Sequence, residues 1–426
     1  MFREFMLGEI ARMIGSRSNL QGQELVRGVS INSQTVKPGE LFFALRGSRA
    51  DGHAYAGDAL QRGAVAAVVD RDLSLPREMK VKDTLFALGE LARNYRQHFT
   101  VKTIAITGTN GKTTVKNLVA AILRKKTAVL YTGKNYNSLI GLPLTVLRAS
   151  GDEGYLVLEM GTNKPGEIKR LCEIGRPDIG IITNIGPGHL EGLDSIEGVK
   201  KEKLALVDAL PPNGRALVGE GVDIADDDKI VRFSADQLEE VEMDEFGCRF
   251  SYHGSAFVTQ LLGAGNLCNC LAAVCLAQQL GIDYETQRTA IAEIKPEPGR
   301  MEPVWVKDVL IIDDSYNANP VSMKAAIDFV ARSRRRKILV LGDMLELGAQ
   351  SATMHQEIGA YAQASADVLL TYGSEARHYG GEHLNAEGEL LKGLMKTITG
   401  DEVVLIKASR ALRFERIVAR LARMLR

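Results

Sequence analysis

Residues 101–126, VKTIAITGTNGKTTVKNLVAAILRKK, leave the fewest options for the fold. An apolar run rich in β-branched residues gives way, across two glycines, to apolar residues at helical period. That order predicts a buried strand at 101–107, a tight turn, and a helix at 113–126. A strand buried on both faces belongs in a mostly parallel sheet with helices on either side. The turn reads Thr107-Gly108-Thr109-Asn110-Gly111-Lys112-Thr113-Thr114. It fits a phosphate-binding loop, G-x-x-x-x-G-K-[ST], except that Ile106 stands where the first glycine falls. The remaining parts carry the chemistry. Gly108 and Gly111 supply backbone conformations that other residues resist. The N–H groups of the loop, with Thr109, Asn110 and Thr114, would face an anion at the helix N-terminus. Lys112 would reach β- and γ-phosphates, and the Thr113 hydroxyl would meet Mg²⁺. A plain strand–turn–helix with an incidental lysine is the competing reading.

The same alternation runs along the chain. LFFALRG (41–47) reads as a strand, YAGDALQRG (55–63) as a helix and AVAAVV (64–69) as a strand, a small α/β unit. A second block opens near 85 and includes strands at 155–160 and 180–186, with helices at 165–175, 195–209 and 266–280. Its segment 212–260 is polar and turn-rich, a β excursion. A third block starts near EPGRMEP (297–303) and alternates strands at 309–314, 337–343, 366–373 and 403–407 with helices. The expected organisation is α/β with three domains, 1–84, 85–298 and 299–426, the last Rossmann-like.

Lysine plus arginine and aspartate plus glutamate both total 53, so no basic field invites nucleic acid. The five cysteines have no C-x-x-C spacing, which argues against zinc or a disulfide framework and for a reducing cytoplasm. No apolar stretch is long and uninterrupted enough to span a membrane, and the N-terminus lacks the layout of a signal peptide. RSRRRK (332–337) is expected to complement a helix dipole. The arginine-rich final helix is expected to be a solvated face over a packed stripe, with a membrane surface as the alternative.

Two further groups sit just past strand ends in the sheet that carries the loop, where ligands gather in such folds. Glu159 ends LVLEMGTN, and His189 lies in TNIGPGHLEG. The lysine-rich GVKKEKLAL (198–206) reads by itself as a solvated helix face.

TGTNGKTT, NYNSLIGLPLTVL (135–147), LEMGTNKPGEI (158–168) and TNIGPGHLEGL (183–193) resemble the Mur ligases of peptidoglycan synthesis. The first of these is shared with folylpolyglutamate ligases. IDDSYNANPVSM (312–323) and VLGDMLELG (340–348) resemble the member that joins D-Ala-D-Ala to UDP-N-acetylmuramoyl-tripeptide. The resemblance runs from PGELFFALRGSRADGH (38–53) to LIKASR (405–410). It implies an N-terminal domain for the UDP end, a central ATPase and a C-terminal Rossmann-like domain. It also implies amide ligation through an acyl phosphate, with ATP and two Mg²⁺ ions. By the resemblance Thr113 and Glu159 hold one ion, while His189 and a carbamylated Lys203 hold the second. Asn269 and Asp314 contact the far end of ATP, and Arg300 lies near its γ-phosphate. Ser33 serves the UDP end, Asn137 and Ser138 meet the muramoyl peptide, and Tyr316, Asn317 and Asn319 line the dipeptide pocket. The enzyme is expected to be a cytoplasmic monomer working on small molecules.

Three departures from the family pattern fall on the substrate side. D-S-R reads Asn32-Ser33-Gln34, His-Asn reads Gly265-Asn266, and K-G-S-R reads KASR with Ala408. His355 fits the pattern as either a site residue or a helix-packing one. The competing functions are a sister ligase with another amino-acid acceptor, against which DDSYNANP argues, and a nucleotide-binding regulator with a degenerate site. Intact Lys112, Thr113, Glu159, His189 and Lys203 argue against the latter.

Overall fold

The computed structural model describes residues 2–16, 24–47, 50–133 and 135–426, so positions 48 and 49 of the stretch 38–53 lie outside the described residues. Strand Lys102–Thr107 is buried from Thr103 onward and forms the interior of a six-stranded sheet. In order across the sheet the strands are Ile230–Phe233, Arg215–Gly219, Ile179–Ile182, Lys102–Thr107, Tyr155–Glu159 and Val129–Tyr131, all parallel. Register decides what meets at the edge. Ile106 lies opposite Glu159 and Thr107 opposite Ile182, so three strands deliver their following loops to one place.

Helix Lys112–Arg124 packs Val115, Leu118, Val119, Ile122 and Leu123 against the sheet and against helix Ala264–Gln279. At about 1.5–3 kcal/mol for each buried aliphatic side chain, this face outweighs the burial of Lys116 on the same helix. Lys116 keeps a partner by donating to Thr132 O at 2.8 Å. The segment 212–260 divides in two. Its first strands extend the central sheet in parallel, and Glu239–Asp244, Gly247–Tyr252 and Ser255–Thr259 form a separate antiparallel sheet.

On the N-terminal side, Gly28–Ser30, Glu40–Phe43, Ala66–Val69 and Glu78–Lys80 make a four-stranded parallel sheet. Helix Thr84–Arg96, capped by Asp83 accepting from Phe86 N at 2.7 Å, shares one apolar core with both neighbouring sheets. The C-terminal sheet runs Glu302–Val306, Val309–Asp314, Glu402–Lys407, Arg336–Gly342, Val368–Tyr372 and Glu382–His383, with the first pair antiparallel and the rest parallel. The antiparallel edge strand is absent from the sequence reading, because Glu302 and Pro303 leave only Val304, Trp305 and Val306 as an apolar run.

The final helix, Glu415–Leu425, turns Ile417, Val418, Leu421 and Ala422 into the C-terminal core. Arg416 and Arg420 face Glu387 on its other side. Its apolar stripe is therefore covered within the fold. Arg332 of RSRRRK is the C-cap of helix Pro320–Ala331, the end where positive charge complements the dipole. Arg335 pairs with Glu245 and Asp401 and lies over the Trp305 ring, tying the small antiparallel sheet to the C-terminal domain. Among the described residues no helix is long and apolar enough to cross a membrane.

Candidate active site

Position 106 needs no glycine because the strand continues through it, with Ile106 wholly buried. The turn begins at Gly108, whose φ is +145°. A Cβ there would lie 1.8 Å from Thr183 Oγ1. Gly111, at φ +82°, would bring a Cβ within 2.2 Å of Asn269 Oδ1. The loop is held from the neighbouring strand end. Thr109 N donates to Asn184 O at 3.0 Å, Asn110 N to Asn184 Oδ1 at 3.0 Å, and Thr183 Oγ1 to Asn110 O. Thr109 Oγ1 bonds both to Gly186 O and from Gly186 N. Thr183 and Asn184 were not singled out by sequence reasoning. Their signal is their place at the start of the TNIGPGHLEGL stretch that also holds His189.

Three separated segments meet at the helix N-terminus. Thr113 Oγ1 donates to Glu159 Oε2 at 2.9 Å and receives Arg300 Nη2 at 3.1 Å. The other Glu159 oxygen accepts from Asn137 Nδ2 at 2.8 Å. Lys116 Nζ stands 3.9 Å from Glu159 Oε2, a buried countercharge that the sequence shows only as a lysine among apolar helix residues. Lys112 folds back on the loop, donating to Gly108 O at 2.6 Å and Thr109 O at 3.0 Å. Desolvation pushes its ammonium down to about 8, with Glu159 opposing and Arg300 reinforcing the shift. Thr114, one residue further, is half-buried.

Lys203, on helix Ile196–Asp208, is 1% exposed. Burial holds its amine well below the usual lysine range, and the nearby Lys112 ammonium pushes the same way. Its neighbour Glu202 caps helix Glu167–Gly175 by accepting from Gly166 N and Ile168 N, each at 2.7 Å. Lys200, by contrast, faces Asp223, and Lys201 is exposed. His189 sits in the left-handed region at φ +57°. Its Nδ1 lies 2.6 Å from Glu346 Oε2, in an alignment too poor for a hydrogen bond. The contact holds the Glu346 carboxyl below its ordinary range. Glu346 belongs to the LGDMLELG stretch, so the C-terminal domain reaches the His189 loop.

Asn319 also crosses between domains, giving Nδ2 to Asn110 Oδ1 at 2.7 Å while its own Oδ1 caps helix Pro320–Ala331 through Ser322 N at 2.9 Å. Tyr316 lies under the Arg300 guanidinium, 3.9 Å from its ring centre. Asn317 is exposed, with its carbonyl accepting from Lys407. Asp314 accepts from Lys407 Nζ and from Met301 N at 3.0 Å. Asn269 is held by Asn266 Oδ1 at 3.0 Å. Ser138 Oγ accepts from Ile140 N and Gly141 N at the start of helix Gly141–Val146. Ser33 is buried in the N-terminal domain, and among the described residues no hydrogen bond joins it to the loop cluster. The departures are accommodated locally. Asn32 Oδ1 accepts from Gln34 N at 2.9 Å, a turn that an aspartate would make equally. A side chain at Gly265 would meet open space, and Ala408 is wholly buried.

Residues 25–96 match the Mur ligase family catalytic domain, 106–277 the Mur ligase middle domain, and 299–423 the Mur ligase glutamate ligase domain. UDP-N-acetylmuramoyl-tripeptide--D-alanyl-D-alanine ligase of Escherichia coli (strain K12) is 35% identical, over 94% of each chain. The structure of MurF from Acinetobacter baumannii superposes at a TM-score of 0.92, with 27% identity over 99% of each chain. MurF ligase from Thermotoga maritima in complex with ADP gives 0.86 and 30%, over 94% of this chain and 98% of that one. With a phosphate loop braced by neighbouring strand ends, an acid and an arginine on its threonine, and this similarity along nearly its whole length, the chain belongs to the Mur ligase family.

Proposed function

We propose that this protein joins the free carboxylate of UDP-N-acetylmuramoyl-tripeptide to the amine of D-Ala-D-Ala, converting ATP to ADP and phosphate, in the synthesis of the peptidoglycan precursor. The relatives that bear this activity in their names match over 94% and 96% of each chain. The observation that carries the reading is the meeting of Glu159 and Arg300 on the Thr113 hydroxyl at the mouth of the loop. Phosphoryl transfer between anions is a problem of positioning and charge neutralisation, and these groups answer it.

A substrate carboxylate oxygen attacks the γ-phosphorus while its bond to the ADP oxygen breaks, leaving an acyl phosphate. The dipeptide nitrogen then attacks the carbonyl carbon, the carbon–oxygen bond to phosphate breaks, and the nitrogen loses its proton. Lys112 and Arg300 place positive charge on the transferring group, and the N–H groups of residues 108–114 hold the phosphates. Asn269 and Asp314 contact the nucleoside end.

The donor sets suit magnesium. Thr113 and Glu159 offer a hydroxyl and a carboxylate 2.9 Å apart, a pair fitting for a hard cation that retains water. At the second position His189 is joined by Lys203. Burial that disfavours the ammonium favours the neutral amine, the form that adds CO₂, and the carbamate would be an anionic oxygen ligand where an ammonium would repel a cation. Bound magnesium neutralises charge on the β- and γ-phosphates.

Residues 1–84 take the UDP end through Ser33, residues 85–298 hold ATP, and residues 299–426 bring the dipeptide. Asn137 and Ser138 meet the muramoyl peptide, and Tyr316, Asn317 and Asn319 line the dipeptide pocket. The enzyme acts as a cytoplasmic monomer. Phosphate release from ATP with the UDP-tripeptide is expected to depend on D-Ala-D-Ala, giving a product heavier by one dipeptide less water in the mass spectrum. Release without the dipeptide's incorporation, or none with any peptide acceptor, would overturn the reading.

A further inference from the structure

Tyr316 has a second cation over its ring. Arg410 lies 5.5 Å from the ring centre, beside the 3.9 Å contact with Arg300. Arg300 is turned to the phosphate loop, where it donates to Thr113, and Lys407 is tied within the C-terminal domain by Asp314 and by Asn317 O. Among the described residues Arg410 has a single ion pair, Glu415 at 3.2 Å, and its side chain is 59% exposed. Five donors and one carboxylate leave it capacity for another anion. Its backbone is nevertheless fixed, because the preceding Ser409 gives N to Asp343 O and accepts Leu345 N on Oγ, each at 2.9 Å.

We infer that Arg410 binds the C-terminal carboxylate of the dipeptide substrate, with the Tyr316 ring as the surface between that carboxylate and the reacting amine. The inference rests on the function proposed above and names the residue that reads the substrate's far end. Two residues of extended chain reach about 7 Å. That length is of the same scale as a site whose two guanidiniums, Arg300 beside the phosphate loop and Arg410, lie 3.9 and 5.5 Å from the centre of one tyrosine ring. A planar guanidinium matches a carboxylate with two parallel hydrogen bonds. The site therefore demands a free acid on the acceptor.

The test compares D-Ala-D-Ala with its C-terminal amide, in the wild type and in Arg410→Ala and Arg410→Lys. The wild type is expected to favour the acid over the amide by about 10- to 100-fold in kcat/KM, as a charge-assisted pair allows. Arg410→Ala should raise KM for the acid by a similar factor and lose the preference, with KM for ATP and the UDP-tripeptide unchanged. Arg410→Lys should retain part of it. A merely structural arginine would lower rates for acid and amide alike, so an acid-to-amide ratio in Arg410→Ala equal to that of the wild type overturns the inference. A wild-type protein that ligates neither compound removes the functional reading, and this inference with it.

Discussion

His355 is wholly buried, its Nδ1 facing Ser351 O at 2.7 Å and its Nε2 accepting from Met344 N at 3.0 Å. Both ring nitrogens are used, Nδ1 within helix Ser351–Ser365 and Nε2 in joining that helix to the LGDMLELG stretch, which leaves none for substrate. The carbonyl on one side and the N–H on the other select the neutral ring protonated at Nδ1, and burial lowers its pKa from 6.5. A histidine kept neutral in the fold stabilises it above the unfolded pKa. That contribution is lost as pH falls below about 6.5 toward the lowered folded value, because the unfolded chain takes up the proton first. Thermal unfolding followed from pH 7 to 5 should show a His355-dependent loss of at most about 1.4 kcal/mol per pH unit. His355→Gln should lack that component. An identical pH slope in the variant would show that the ring is not held neutral. Nothing in the sequence separated packing from chemistry here, because both readings predict a histidine on a helix after a turn.

At the scale of the element, the strand–loop–helix unit was legible in advance, because periodicity and two glycines mark it out. Its bracing was not. Gly108 is required twice over, by a φ of +145° and by Thr183 Oγ1 at 1.8 Å from any added Cβ. Gly108→Ala should therefore destabilise the protein by about 2–4 kcal/mol through backbone strain and overpacking. It should also weaken ADP binding at least tenfold, measured by titration calorimetry at a temperature where the variant is folded. Binding of wild-type strength would mean that the loop does not hold phosphate through this geometry. The edge strand Glu302–Val306 escaped sequence reading, and Glu239–Asp244 was legible only as part of a β excursion, for one reason. Each pairs through its backbone, and an exposed face needs no apolar residues.

Over the whole molecule, the central and C-terminal domains meet around the phosphate loop through Asn110–Asn319, Thr113–Arg300 and His189–Glu346. Asn319 has two separable duties, since serine caps helices as well as asparagine but cannot reach across as an amide does. Asn319→Ser should keep stability within about 0.5 kcal/mol. Its kcat/KM for ATP should fall, and small-angle scattering should show a broader spread of domain separations. Unchanged scattering and unchanged kcat/KM together would show that the amide pair does not position the domains. Asp314 and Lys407 likewise tie two strand ends of the C-terminal sheet, so the acid expected at the ribose is also a structural partner.

The sequence alone determined the local units. Strand, turn and helix follow from side-chain periodicity and from glycine's freedom, which act within a few residues, and the loop's chemistry follows from Lys112 and Thr113 lying inside one such unit. Only the tertiary structure decided what each polar group faces. Lys116 beneath Glu159, Thr183 against Gly108, Asn319 on Asn110 and Arg410 over Tyr316 join residues far apart in the chain. Strand register and domain contact bring those groups within a few ångströms, and at that range desolvation and charge set what each can do.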